Sequence, residues 1–228
     1  MSKDDPRERI LQAAGPIFAD RGYKAATVRD ICAAAGVNLA AVNYHFGGKE
    51  SLYRETVVRA HPDRLENRFT PDWPDGTSVE EKLRDFIHSM LTRLLSLDAT
   101  AWEWKLLMRE IMNPTPCCRE LLEDHFRNGF GVLQEILDEV LPETMPLERR
   151  QQVALSVVGQ CVYYRSACHV VPMVVGDESY AKNFDIPRLT NHITHFTLAA
   201  LGLVPPLGRV KARQQAATRR QGQPQVVG

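Results

Sequence analysis

Residues 38–49 read Asn-Leu-Ala-Ala-Val-Asn-Tyr-His-Phe-Gly-Gly-Lys. If Val42 and Phe46, at i and i+4, form the buried edge of a short helix, then Asn43, Tyr44 and His45 face outward beside the small Ala40 and Ala41. Small side chains let a backbone approach a groove floor, while carboxamide, phenol and imidazole tips reach base edges and phosphates. A DNA major groove accepts such a helix. A carboxamide can pair bidentately with adenine, a contact worth ~1–3 kcal/mol of discrimination, which makes Asn43 the candidate for direct readout. Lys49 opens the next helix, where its charge and the free N–H groups can hold a phosphate together. Residues 39–46 contain no Lys or Arg, so phosphate affinity is expected from the flanks, from Arg7, Arg9, Lys24, Arg29 and Lys49.

Two further groupings carry chemistry. Trp102, Trp104, Met108 and Arg109 share one short segment, and Tyr163, Tyr164 and Arg165 another. Aromatics, a flexible thioether and a few charges are what an apolar pocket with an orienting polar group needs. Cys117-Cys118, Cys161 and Cys168-His169, with His192 and His195 at i, i+3, invite a thiol or metal reading. None of them shows paired CxxC spacing, and a buried cysteine commonly behaves as a small hydrophobe. The chain has no Gly-rich phosphate loop, nucleophile elbow or His-Glu-x-x-His, so neither an enzyme nor a cofactor is expected.

The elements that must position these residues follow from periodicity. The chain has 228 residues, 44% of them hydrophobic, enough for a sizeable core and too many for a mainly disordered protein. Almost every long segment shows the 3.6-residue period, and no Asn-Gly or Asp-Gly hairpin joins alternating strands, so the fold is expected to be all-α. A first helix is predicted over 7–20, stopped by Gly22. Thr27 with Asp30 reads as a variant capping box, Gly36 as a helix stop and Asn38 as the next N-cap, which fits helix, turn and helix into 27–46. Further helices are predicted over 49–60, 78–97, 100–112, 117–140, 147–171 and 186–201. Pro114, Pro116, Pro142, Pro146, Pro172 and Pro187 fall near their ends, and 70–77 reads as a loop.

Net charge is zero only by cancellation: residues 1–60 carry nine basic and seven acidic groups, 61–204 carry 14 and 21, and 205–228 carry five and none. A mildly basic head thus precedes an acidic body and a basic, Gln- and Gly-rich tail expected to be disordered. With no apolar leader, an odd number of cysteines and no apolar run near 18 residues, the sequence predicts a cytoplasmic protein with no membrane-spanning role.

The stretch GYKAATVRDICAAAGVNLAAVNYHFGGKESLYRETV resembles the DNA-binding domain of TetR/AcrR-type bacterial transcriptional regulators, on the branch of YbiH/CecR-like proteins. The resemblance spans roughly 7–60, and Met108-Arg109-Glu110 with Asn113-Pro114-Thr115 agrees with it further along. It implies a helix-turn-helix head at 1–48, the start of a connecting helix at 49–60, a helical ligand-binding and dimerisation domain at 61–204, and the tail at 205–228. It also implies phosphate contacts from Thr27, Asn38, Tyr44, His45 and Lys49, and base contacts from Leu39, Ala40, Ala41 and Asn43. Many relatives have Tyr where Asn43 stands, and Gly-Thr or Gly-Ser where Ala40-Ala41 stand, so their base preference does not carry over. The last two long helices would form the interface of a homodimer, and two apolar stripes suit that role. They nominate Val157, Cys161, Ile193, Phe196 and Ala200. The implied function is repression at a palindromic operator, relieved by a small hydrophobic molecule; a thiol- or metal-responsive regulator with the same head is the alternative.

Overall fold

The computed structural model describes residues 5–60, 72–95 and 101–206. Among them the chain forms α1 (Pro6–Ala25), α2 (Val28–Ala35), α3 (Leu39–Phe46), α4 (Lys49–Ala60), α5 (Val79–Leu95), α6 (Trp102–Met112), α7 (Arg119–Asp138), α8 (Leu147–Ser166), α9 (Val170–Val175), α10 (Asp177–Asn183) and α11 (Ile186–Ala200), with no strand. The all-α expectation holds. The predicted tail beyond 206 and the parts of two predicted helices within 96–100 lie outside the described residues.

Local chemistry accounts for the first four helices. The Asp5 carboxylate accepts from the Arg7 amide at 3.0 Å, with Pro6 at the first helical position, where its missing N–H costs nothing. Gly22, at φ +75°, kinks α1 instead of ending it, and the chain continues to Ala25 before the Ala26 amide closes on the Gly22 carbonyl at 3.2 Å. Thr27 Oγ1 accepts from the Asp30 amide at 3.1 Å, but the other half of the expected box is absent: the Asp30 carboxylate pairs with Arg21 at 2.6 Å. Gly36 ends α2 in the left-handed region, and Asn38 Oδ1 caps α3 through the Ala41 amide at 3.0 Å.

The described chain divides into two compact units, one of Met1–Asp72 with Leu95–Val132, the other of Trp73–Leu94 with Leu133–Gly228. In the first, Ile10, Phe18, Ile31, Val42, Leu52, Tyr53, Val57 and Leu106 are buried in one core. Helix α6 therefore packs with the helix-turn-helix, against α1 and α4, where the sequence reading placed it in the separate body.

In the second unit α8 packs on α11 and α9 on α10. Ser78 and Glu81 start α5 with a reciprocal capping box: Ser78 Oγ accepts from the Glu81 amide at 3.3 Å and the Ser78 amide donates to Glu81 Oε2 at 3.0 Å. The single helix predicted over 147–171 breaks after Ser166. Pro172 explains the break, because its ring would collide with the Cys168 carbonyl in a continuous helix, whereas at the third position of α9 its missing N–H is one of the free ones. Helix α10 was invisible to periodicity because it buries no residue.

Candidate nucleic-acid interface

Helix α3 presents the face expected of it. Val42 and Phe46 are buried, while Ala40 and Asn43 are exposed, Tyr44 at 86% and Leu39 at 51%. Ala41 and His45 are half-buried, and the imidazole meets the Tyr44 ring edge-on at 4.9 Å. Thr27 and Asn38 are exposed, and each spends an acceptor on its helix cap. The Thr27 O–H and the Asn38 amide N–H groups remain as donors, so capping and phosphate binding are compatible on the same side chain.

Lys49 begins α4 behind the Gly47-Gly48 turn, whose φ values of +75° and +150° no β-carbon-bearing residue adopts easily. Its Nζ stands 4.8 Å from the Tyr23 ring centroid and donates to the Lys24 carbonyl at 3.4 Å. The ammonium thereby sits at the junction of α1 and α4, against an aromatic face. Lys24 and Arg29 are exposed, as a phosphate-binding flank requires. Arg7 departs from expectation: its guanidinium pairs with Glu55 and lies 5.1 Å over the Phe46 ring, so it serves packing in the head. Arg9 is half-buried.

The polar seam between α6, α1 and α4 was not foreseen. Lys105 pairs with Asp20 at 2.5 Å, which holds that carboxyl below its ordinary range, and Arg109 Nη2 donates to the Asp20 carbonyl at 3.0 Å. Glu110 is fully buried and accepts from Tyr53 Oη at 2.5 Å and from the Thr115 amide and hydroxyl at 3.0 Å each. Burial, reinforced by the Glu110 bond, pushes the Tyr53 phenol up, so it remains a donor at any ordinary pH. Glu110 and Thr115 stood in the sequence motif, but nothing in their spacing named Tyr53 as the partner.

The residues nominated for a pocket divide between the two compact units. The Trp102 ring lies against Gly15 of α1, and Arg109 crosses Gly22, so both belong to the docking of α6. Trp104 and Met108, on the same helix, are half-buried. Tyr163 and Tyr164 fall in the other compact unit, where they line a shallow, open depression of about 360 Å³ with Ser156, Gly159 and Gln160. Tyr164 also packs on Phe184 at 6.2 Å.

Of the residues nominated for the interface, Val157, Cys161 and Ile193 are buried within the chain itself and present no surface to a partner. Phe196 and Ala200 are exposed. The outward row of α8 is instead Leu155, Gly159 and Tyr163, at i, i+4 and i+8, with Leu155 and Tyr163 each 57% exposed. That row is legible at helical spacing, but the Val157 row is similarly apolar, and spacing alone does not separate the two. Burial raises the Cys118 and Cys161 thiols to about 12, which keeps them protonated at neutral pH. Among the described residues no group of three or more His, Cys, Asp or Glu side chains is placed to hold a metal ion.

Residues 10–56 match the family of bacterial regulatory proteins, tetR family, and residues 79–201 match the C-terminal domain of the HTH-type transcriptional dual regulator CecR. The chain is a TetR-family transcriptional regulator. It is 31% identical over 122 residues to the HTH-type transcriptional dual regulator CecR of Shigella flexneri, a stretch that covers 49% of this chain and 54% of that protein. Over 77 residues it is 43% identical to the HTH-type transcriptional repressor KstR2 of Mycolicibacterium smegmatis, 34% of this chain and 37% of the relative. The chain thus spans about half or less of the length of these curated relatives. A TetR-like transcriptional regulator from Rhodococcus sp. RHA1 shares the fold at a TM-score of 0.58 and 17% identity, over 89% of this chain and 98% of that one. No helix among the described residues of this TetR-family chain is long and apolar enough to cross a membrane.

Proposed function

We propose that this TetR-family protein is a cytoplasmic homodimeric repressor that occupies a near-palindromic operator and leaves it when a small hydrophobic molecule binds the C-terminal body. The observation that carries the DNA-binding part is the outward face of α3: a short helix, small at Ala40, polar at Asn43 and flanked by Lys49. In this reading Leu39, Ala40, Ala41 and Asn43 meet bases, Leu39 offering an apolar tip to a thymine methyl. Thr27, Asn38, Tyr44, His45 and Lys49 meet phosphates.

A two-fold dimer would set its heads about one turn of B-DNA apart, which makes the operator a near-palindrome. The exposed rows of α8 and α11, Leu155, Gly159, Tyr163 and Phe196, support that interface as apolar surface left uncovered by the described residues. Repression follows the named repressors among the relatives. Release needs no chemistry: a ligand that binds the wrongly spaced dimer more tightly than the DNA-competent one shifts the equilibrium by that difference.

Footprinting on the DNA flanking its own gene, repeated with a panel of hydrophobic and antibiotic-like compounds, tests the reading. Expected are a protected near-palindrome and at least one compound that abolishes it. Absence of any salt-dependent duplex binding by the purified protein would overturn the proposal.

A further inference from the structure

Glu110 is a fully buried carboxylate that no step of operator binding or release uses. It lies one bond from a continuous line of contacts that ends at the DNA-facing surface. Its Oε1 accepts from Tyr53 Oη at 2.5 Å; the Tyr53 ring packs against the Tyr23 ring with centroids 5.0 Å apart; and the Tyr23 ring carries the Lys49 ammonium 4.8 Å from its centroid. Tyr53 and Lys49 are also neighbours on α4, at i+4 and i, and the Phe18 ring meets Tyr53 edge-on at 4.7 Å from the α1 side. The phenol hydroxyl is thus pinned at one end of the ring while Phe18 and Tyr23 fix its plane.

We propose that Glu110 is a positioning residue for DNA binding, which sets the place of the Lys49 ammonium through Tyr53 and Tyr23. The inference rests on the reading of Lys49 as a phosphate ligand. The physical argument is one of constraint. A lysine at a helix start has four rotatable bonds and reaches a phosphate only after their entropy is lost; seated on a ring that packs against Tyr53, it has part of that entropy already removed. The ring stays put because its neighbour Tyr53 is tied to a carboxylate which is itself held from the other side by two donors of Thr115. Loosening the Tyr53–Glu110 bond frees the aromatic pair to shift, and Lys49 shifts with it.

The test uses the full-length protein and a duplex that it selects from a random-sequence pool. Affinity is measured between 50 and 300 mM salt, on the order of the range over which counterion release is resolved, for the unaltered protein and for Lys49→Ala, Tyr53→Phe, Glu110→Gln and Tyr23→Leu. Lys49→Ala in a two-fold dimer removes two phosphate contacts, which flattens the slope of log affinity against log salt by about 1.8 and weakens binding about eightfold per contact at 0.1 M salt. Tyr53→Phe and Glu110→Gln are expected to flatten the slope in the same direction, and to add nothing to affinity loss when combined with Lys49→Ala. Tyr23→Leu, half-buried and outside the polar network, reports on the same line from its far end if the other two fold poorly.

A role confined to stability lowers the melting temperature and leaves the slope unchanged. That result in the three aromatic and carboxylate variants, or an equal further loss in the Lys49→Ala background, overturns the inference. If Lys49→Ala itself leaves the slope unchanged, the phosphate reading of Lys49 fails and the inference with it.

Discussion

Gly15 sits in the middle of α1, directly before Pro16, whose ring disfavours helical backbone in a preceding residue that carries a β-carbon, so the ~1 kcal/mol that alanine gains over glycine elsewhere in a helix is an upper bound here. The tertiary structure reverses that sign. A β-carbon at this position would stand 2.6–2.7 Å from three atoms of the Trp102 ring, where ordinary contact needs at least 3.4 Å. The ring must retreat by roughly 0.7 Å or more, and a flat indole wedged between α6 and α1 retreats only by opening the seam or leaving its rotamer. Overpacking of this kind costs ~1–3 kcal/mol, so against a helix gain of at most ~1 kcal/mol Gly15→Ala should destabilise the first compact unit by up to roughly 3 kcal/mol. The assay is urea unfolding followed by circular dichroism at fixed protein concentration, run as a double-mutant cycle with Trp102→Leu. With the indole gone, the alanine should become neutral or stabilising. A Gly15→Ala protein more stable than the unaltered one, or an identical loss in the Trp102→Leu background, would refute the packing argument.

Other consequences are open to measurement. Asn43→Ala should relax discrimination at one base pair per half-site, worth ~1–3 kcal/mol between the preferred and substituted duplexes, while binding to random DNA stays unchanged. Leu155→Asp or Tyr163→Asp should shift sedimentation from dimer toward monomer with the fold retained by circular dichroism. Val157→Ala, a truncation inside the chain's own core, should lower the melting temperature and leave the dimer intact. The hydrogen bond from Arg59 holds the Glu8 carboxyl below its ordinary value, so its stabilisation is present above the unfolded carboxylate value of about 4.3 and is lost as pH falls through the lower folded value. Arg59→Met should therefore shallow the acid limb of the stability profile below about pH 4.3, and an unchanged limb would count against the pair.

Much of the head was legible because its determinants are local. Thr27 and Asn38 cap through amides three residues away, Gly36 and Gly47 need only their own φ, and the α3 face follows from Val42 and Phe46 one turn apart. Such interactions are complete within a few residues, and sequence order already contains them. The Asp30 half of the expected capping box failed for the complementary reason: Arg21, on another helix, claimed the carboxylate.

Helical period reveals that a segment has an apolar face, and by itself it determined the all-α fold and the outward residues of α3. What the face meets is decided by which other faces are within reach. Trp102 and Arg109 have the composition of pocket residues, but α6 docks them on Gly15 and Gly22 of α1, a fit set by the absence of two β-carbons 87 residues earlier in the chain. In α8 the Val157 and Leu155 rows are similar in composition, and only packing against the rest of its unit turned the first inward and left the second exposed. Periodicity fixes an angle around one helix axis, whereas burial depends on contacts between segments distant in sequence, and those exist only once the chain has folded.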